Sequence, residues 1–221
     1  MKKSSEKLFK MLRSKEFNMP KKIAPAFYFI GNHPVLDFIN TKIVVDGKPV
    51  DLLENFSDVL AWLPKADLLS KEETEEYEQR WGSGGEGEPV VTAARALRSS
   101  LLAMIQKCKE EDKASEDDME HINSFLTDQV ITTRLVRKDN RFASERHVKI
   151  HKPIDLLIPI AEAAIVFFSL YDLRLVKKCE NPDCVLHFYD NSKNSTRRWC
   201  SQKTCGNRMK VAAFLERRRN Q

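Results

Sequence analysis

The sequence predicts an α+β fold, mostly α: an α-rich N-terminal domain containing a small antiparallel β-hairpin, followed by a compact C-terminal module. Three observations carry this reading. Apolar residues recur at helical spacing through much of the first half of the chain. β-Branched residues gather on either side of Asp139 and Asn140, a pair suited to a tight hairpin turn. Cys179, Cys184, Cys200 and Cys205 form two C-x4-C pairs near the C-terminus.

The elements follow in order. Gly31, Asn32, His33 and Pro34 interrupt the chain, and Pro34 suits the first turn of a short helix over Leu36–Lys42. Gly47 and Pro49 mark a turn. Leu53, Phe56, Val59, Leu60 and Leu63 then trace a helix over Leu52–Leu69. Ser70 with Glu73 three residues on is a capping box, opening a charged helix over Ser70–Arg80. Val91, Ala94, Leu97, Leu101, Leu102 and Ile105 form one stripe of a long helix over Val90–Lys109, and a shorter helix covers Met119–Leu126. Val130–Arg137 and Phe142–Ile150 are the hairpin strands. Ile154–Leu170 is apolar on several faces, which predicts the central core helix.

The organisation expected is a basic extension at residues 1–22, an α-rich domain at 23–173 and a small module at 174–221. Charge is segregated along these lines. The net charge of +5 combines eight basic and two acidic side chains in 1–22, seventeen and twenty-six in 23–173, and twelve and four in 174–221. An acidic body between basic ends would meet a polyanion through its ends. No apolar run approaches a membrane span and no cleavable leader is evident, so a reducing cytoplasm is the expected compartment. There, clustered cysteines are metal ligands in preference to disulfides.

Four cysteines at this spacing make a closed thiolate tetrahedron, the arrangement favoured by one structural Zn²⁺, with no open position for substrate. His187 is an alternative donor that a complete sulfur shell leaves unused. Short strands at Arg174–Val176 and His187–Tyr189, with a helix running from Cys205 to Arg219, give a treble-clef-like zinc finger. After metal binding the module retains about +6, a field suited to phosphate. Lys193, Arg197, Arg198, Lys210 and Arg217 are the candidate nucleic-acid contacts, the arginines beside Trp199 being suited to phosphate positioning and stacking. Arg208, on the opposite helix face from Lys210, is expected to turn back onto Asp190, and Phe188 and Trp199 to form a miniature core. Phe214 and Leu215 are available to pack on the body or on a second subunit.

Phe188, Asp190, Ser192, Arg197, Arg198, Trp199, Cys200 and the run Cys205, Gly206, Asn207, Arg208, with Lys210, resemble the CGNR zinc finger family. Gly31, Leu36, Asp37, Phe38, Asn40 and Thr41, then Leu52, Leu53, Leu60 and Trp62, resemble the ABATE domain that commonly precedes that finger. The resemblance implies a transcription regulator, stress-linked, with a sensing N-terminal domain and a DNA-binding finger. Asp37, Asn40 and Thr41 set polar groups among apolar ones, and are either buried caps or the lining of a ligand pocket for a small-molecule signal. RNA is the alternative partner, through stacking on Trp199. A homodimer is compatible with the pattern. No nucleophile and base pair and no phosphate-binding glycine loop stands out, so no enzymatic activity is expected.

Overall fold

The computed structural model describes residues 27–110 and 116–219. The basic extension at 1–22 lies outside the described residues. Among those described, the order is α1 (Pro34–Ile39), β1 (Lys42–Val45), β2 (Lys48–Asp51), α2 (Phe56–Trp62), α3 (Lys71–Trp81), α4 (Glu88–Glu110), α5 (Glu116–Ser124), β3 (Val130–Lys138), β4 (Arg141–Lys149), α6 (Ile158–Leu170), β5 (Val176–Lys178), β6 (His187–Tyr189) and α7 (Asn207–Arg219). The strands form three separate two-stranded antiparallel sheets. The α+β, mostly α class is therefore observed.

The shortest body helix is the most enclosed. Val35, Leu36, Phe38 and Ile39 of α1 are all buried, and α1 packs against both α4 and α6. Its start is fixed by Pro34 and by His33, whose imidazole accepts the Val35 N–H at 3.2 Å. Gly31 makes the preceding approach possible, because a Cβ there would lie 2.7 Å from Leu36 Cβ. By contrast α6, expected at the centre, buries Ile160, Ala161, Ala164 and Phe167 and leaves Ile165, Val166 and Leu170 exposed. Together with the preceding 3₁₀ turn, Pro153–Leu170 is an 18-residue segment of mean hydropathy 1.9, long and apolar enough by composition to cross a membrane. That overturns the expectation that no run reaches such a length. In the fold the segment is split between turn and helix, with its inner face in the core.

Both ends of the helix read over Leu52–Leu69 differ in the structure. Leu52 and Leu53 do not join α2. Leu52 donates its N–H to Thr41 O at 2.8 Å, closing the β1–β2 hairpin, and Asn55 then starts the helix with a capping box to Asp58. Pro64 tightens the far end into a 3₁₀ turn over Leu63–Ala66. The turn at Asp46 and Gly47 carries flanking strands that alternation over only four residues failed to announce. Both residues have positive φ, 51° and 74°, as a two-residue hairpin turn requires. The other hairpin turns the same way at Asp139 and Asn140, and the Ser70–Glu73 capping box is present.

The C-terminal module packs on the body through shared apolar residues. Ile43 and Leu52 of the β1–β2 region sit in one cluster with Leu186, Phe188 and the four cysteines. Among the described residues, several hydrogen bonds cross the junction. Asn40 Nδ2 donates to His187 O and His187 N donates to Asn40 Oδ1, both at 2.8 Å. Tyr189 N donates to Gly31 O, Asn32 Nδ2 to Tyr189 O, Lys109 Nζ to Val176 O and Arg197 Nη2 to Ile30 O.

Candidate metal centre and basic finger

Strands β5 and β6 pair with Val176 opposite Tyr189 and Lys178 opposite His187, and the first cysteine pair lies on the loop between them. Cys179 N donates to Leu186 O and Cys184 N to Asn181 O, each at 2.9 Å, which folds that loop into a knuckle. The second pair lies across a single π-type turn at Gln202–Gly206, and α7 begins at Asn207, two residues later than the sequence reading placed it. The wider turn holds Cys205 in its last part and directs its sulfur inward.

All four sulfurs are buried and lie within 4.8 Å of one another. Cys184 Sγ to Cys200 Sγ is 3.8 Å, and Cys200 Sγ to Cys205 Sγ is 3.6 Å. A zinc tetrahedron with bonds of about 2.3 Å has sulfur edges of about 3.8 Å, so the cage has the dimensions of one zinc ion. His187 is not part of the cluster. Around it, Cys200 N donates to Cys179 Sγ at 3.4 Å and Asn181 Nδ2 to Cys205 Sγ at 3.3 Å. Asn181 is 5% exposed and was missed by sequence reasoning, although an Asn two residues after a ligand is the available signal.

The electrostatics of the cage suit a cation. Donation from the neighbouring thiols, Cys200 first, lowers the Cys184 thiol to about 5, whereas the hydrogen bond to Cys184 and then burial push Cys200 far up. Sulfurs this close cannot all ionise unaided. A divalent ion makes four thiolates compatible.

Beside the cage stands Asp190, fully buried. It accepts from Lys177 Nζ at 2.6 Å, from Ser192 N and Oγ at 3.1 and 2.6 Å, and from Arg197 N at 2.9 Å. Burial acts to raise its pKa, but these donors prevail and hold the carboxyl at about 2. The expected partner Arg208 is elsewhere: it is exposed and borders a cleft of about 220 Å³ with Tyr28 and Asn181. Asp190 has no acceptor capacity to spare for it, since the loop's own N–H groups fill its oxygens.

Arg197 has a structural part that its place in a basic run did not announce. Its guanidinium donates to the carbonyls of Trp199, Cys200 and Ile30 and lies 4.1 Å from the Phe188 ring centroid. With Nε and Nη2 given to backbone acceptors it fastens the finger hairpin to the body, and it also borders the cleft beside Arg198 and Trp199. Arg198 is exposed, pairs with Glu180 at 2.6 Å and lies over Trp199 at 5.0 Å. Lys193, Lys210 and Arg217 are exposed. Phe188 is fully buried as a miniature core demands, while Trp199 is only partly buried. Phe214 and Leu215 do not pack on the body; they are 53% and 59% exposed.

Among the described residues, Asp37, Asn40 and Thr41 are buried and turn their polar groups to partners inside the protein, as the buried-cap alternative has it. Asp37 Oδ1 accepts from Ile30 N and Gly31 N at 2.8 and 2.7 Å. Asn40 is the two-bond link to His187 described above. Thr41 Oγ1 donates to Phe38 O and accepts from Arg98 at 2.8 Å, while Arg98 also pairs with Asp51. All three are buried polar groups whose partners are inside the protein. Asn40→Ala is expected to remove two buried hydrogen bonds and cost about 2–3 kcal/mol. Chemical denaturation measures the loss, with faster amide exchange along β6 as the local sign.

Asp37 gives a pH prediction. Burial raises its pKa to about 6, against the lowering effect of the two backbone N–H groups. A folded pKa above the unfolded one means the contribution is fully present below about 4 and is lost as pH rises through about 6. Buried His33, lowered to about 4 by desolvation, acts in the opposite sense. The difference between wild type and Asp37→Asn isolates the aspartate: the gap in stability should grow in favour of the variant from pH 4 to pH 7. A constant gap would contradict this.

The fold and the sulfur cage define a zinc-finger protein with an α-rich N-terminal domain. A family model for the ABATE domain, described as "Putative stress-induced transcription regulator", matches residues 32–169, and one for the CGNR zinc finger matches 175–218. The chain belongs to the ABATE family and carries a CGNR zinc finger. No curated protein matches it.

Proposed function

We propose that this zinc-containing regulator binds DNA through its finger while the N-terminal domain senses a signal, and that it acts in the cytoplasm as a binding protein without catalytic activity. The observation that carries the reading is α7, which has no buried residue. A 13-residue helix is about 20 Å long and narrow enough to enter a major groove. It presents Arg208, Lys210, Arg217, Arg218 and Arg219. Among the described residues no side chain of this helix is buried, and the repulsion among its positive charges is relieved by a polyanion. Next to it, Arg198, Trp199, Thr196 and Gln202 border a cleft of about 260 Å³ in which a phosphate or sugar can be positioned.

The test is fluorescence anisotropy with the zinc-loaded chain and a pool of random duplexes across a salt series. Lys210→Ala is expected to weaken binding across sequences and reduce the slope of log affinity against log salt by about 1. An unchanged slope would remove Lys210 and α7 from the interface. Single-stranded RNA displacing the duplex at lower concentration would transfer the same surface to RNA. Two protein chains per recovered site would indicate a homodimer on paired half-sites.

A further inference from the structure

A cleft of about 420 Å³ lies at the junction of the N-terminal domain and the finger, within the size range of small-molecule sites. Its apolar wall includes Ile43 of β1, Leu102 and Ala103 of α4, and Val185 of the finger loop. Lys42 and Lys178, one from each side of the junction, are exposed at it. Arg98 also borders the cleft, but its charge is met by Asp51 at 2.8 Å. No aspartate or glutamate lines it. Two uncompensated ammonium groups above apolar walls fit an anion with a hydrophobic body.

We propose that this cleft binds a small organic anion, a carboxylate on an aromatic or short aliphatic body, and that its occupancy is felt by the finger. The inference deepens the sensing role proposed above by giving it a place and a ligand class. The coupling is local. Val185 directly follows the zinc ligand Cys184, and His187, whose ring borders the same cleft, has its backbone held by Asn40. An occupant touches both the body and the loop that carries the metal, so it favours whichever docking of the finger fits it better.

The experiment is isothermal titration of the zinc-loaded full chain with 2-naphthoate, benzoate and octanoate, and with neutral 2-naphthamide. At least one carboxylate is expected to bind one per chain, with the amide about tenfold weaker. Ala103→Trp, which fills the cleft, is expected to abolish binding while zinc content and melting temperature are kept. Lys178→Glu, an exposed change that leaves the core intact, is expected to weaken it about tenfold. No saturable binding by any carboxylate up to about 10 mM, equal affinity for the amide, or undiminished binding to both variants would each overturn the proposal. Duplex affinity is measured separately without the anion. Anion binding without duplex binding would sink the DNA reading and leave the cleft standing; the reverse result would do the opposite.

Discussion

Cys200→Ala is expected to abolish stoichiometric zinc and unfold the C-terminal module. Cys200 is 2% exposed, its sulfur lies within 3.8 Å of Cys184 and within 3.6 Å of Cys205, and its N–H donates to Cys179. Three remaining thiolates leave the ion open to water and the cage charge unbalanced. Structural zinc in small fingers is worth about 10–16 kcal/mol of apparent binding energy, comparable with the whole stability of a domain. The module has little else to hold it: Leu186 and Phe188 are its own apolar side chains buried around the cage, Val176 is buried against the body's core, and Ile43 and Leu52 belong to the body. Elemental analysis should fall from one zinc per chain, and amide exchange in β5 and β6 should rise far above that in α4. Slow exchange in β6 of the zinc-free variant would refute the account. Chelation of the wild type should reproduce it, with partial exposure of Ile43 and Leu52.

Asp190→Ala is expected to have the next largest effect, although Asp190 touches no metal. Its removal leaves Lys177 with only carbonyl partners, Ser195 O at 2.6 Å among them, and strips an acceptor from the N–H groups of Ser192 and Arg197. Breaking a buried charge pair in this way costs about 3–5 kcal/mol. The whole Asn191–Trp199 loop should loosen, and with it the Arg197 attachment to Ile30 O. Because the folded carboxyl is held at about 2, below its unfolded value, its contribution is intact above the ordinary carboxylate range and is lost as pH falls through about 2. Denaturation at pH 7 measures the loss, and Asp190→Asn, which keeps the shape and one acceptor, should lie between the two. A loss under about 1 kcal/mol in Asp190→Ala would show that the loop is held by other contacts.

These variants separate two kinds of legibility. The zinc ligands were readable because four thiols in two pairs at this spacing have few uses besides holding a metal, and the spacing itself limits the geometry. The capping box at Ser70, the stripe of α4 and the turn at Asp139 and Asn140 were readable because each is a local device whose partners are within a few residues. The structural part played by Arg197 was not readable, for the opposite reason. Beside Trp199 in a basic run it has the composition of a phosphate contact, and only the return of Ile30 O, 167 residues away in sequence, shows where its donors go. Arg208 and Asp190 were misjudged alike: helix phase places a side chain on a face, but the competing donors came from Lys177 and Ser192.

Local order, charge segregation and the metal cage were determined by the sequence alone, since each rests on short-range spacing or on sums over segments. The tertiary structure alone decided that the finger is seated on the body and that Asn40, polar in an apolar helix, links the two through His187. It also decided that α1 and not the more apolar α6 is the enclosed element, and that α7 stands free. Those outcomes depend on which groups meet across more than a hundred residues. Hydrogen-bond satisfaction and the covering of apolar area are settled by what arrives at a surface, a quantity that no window of neighbouring residues contains.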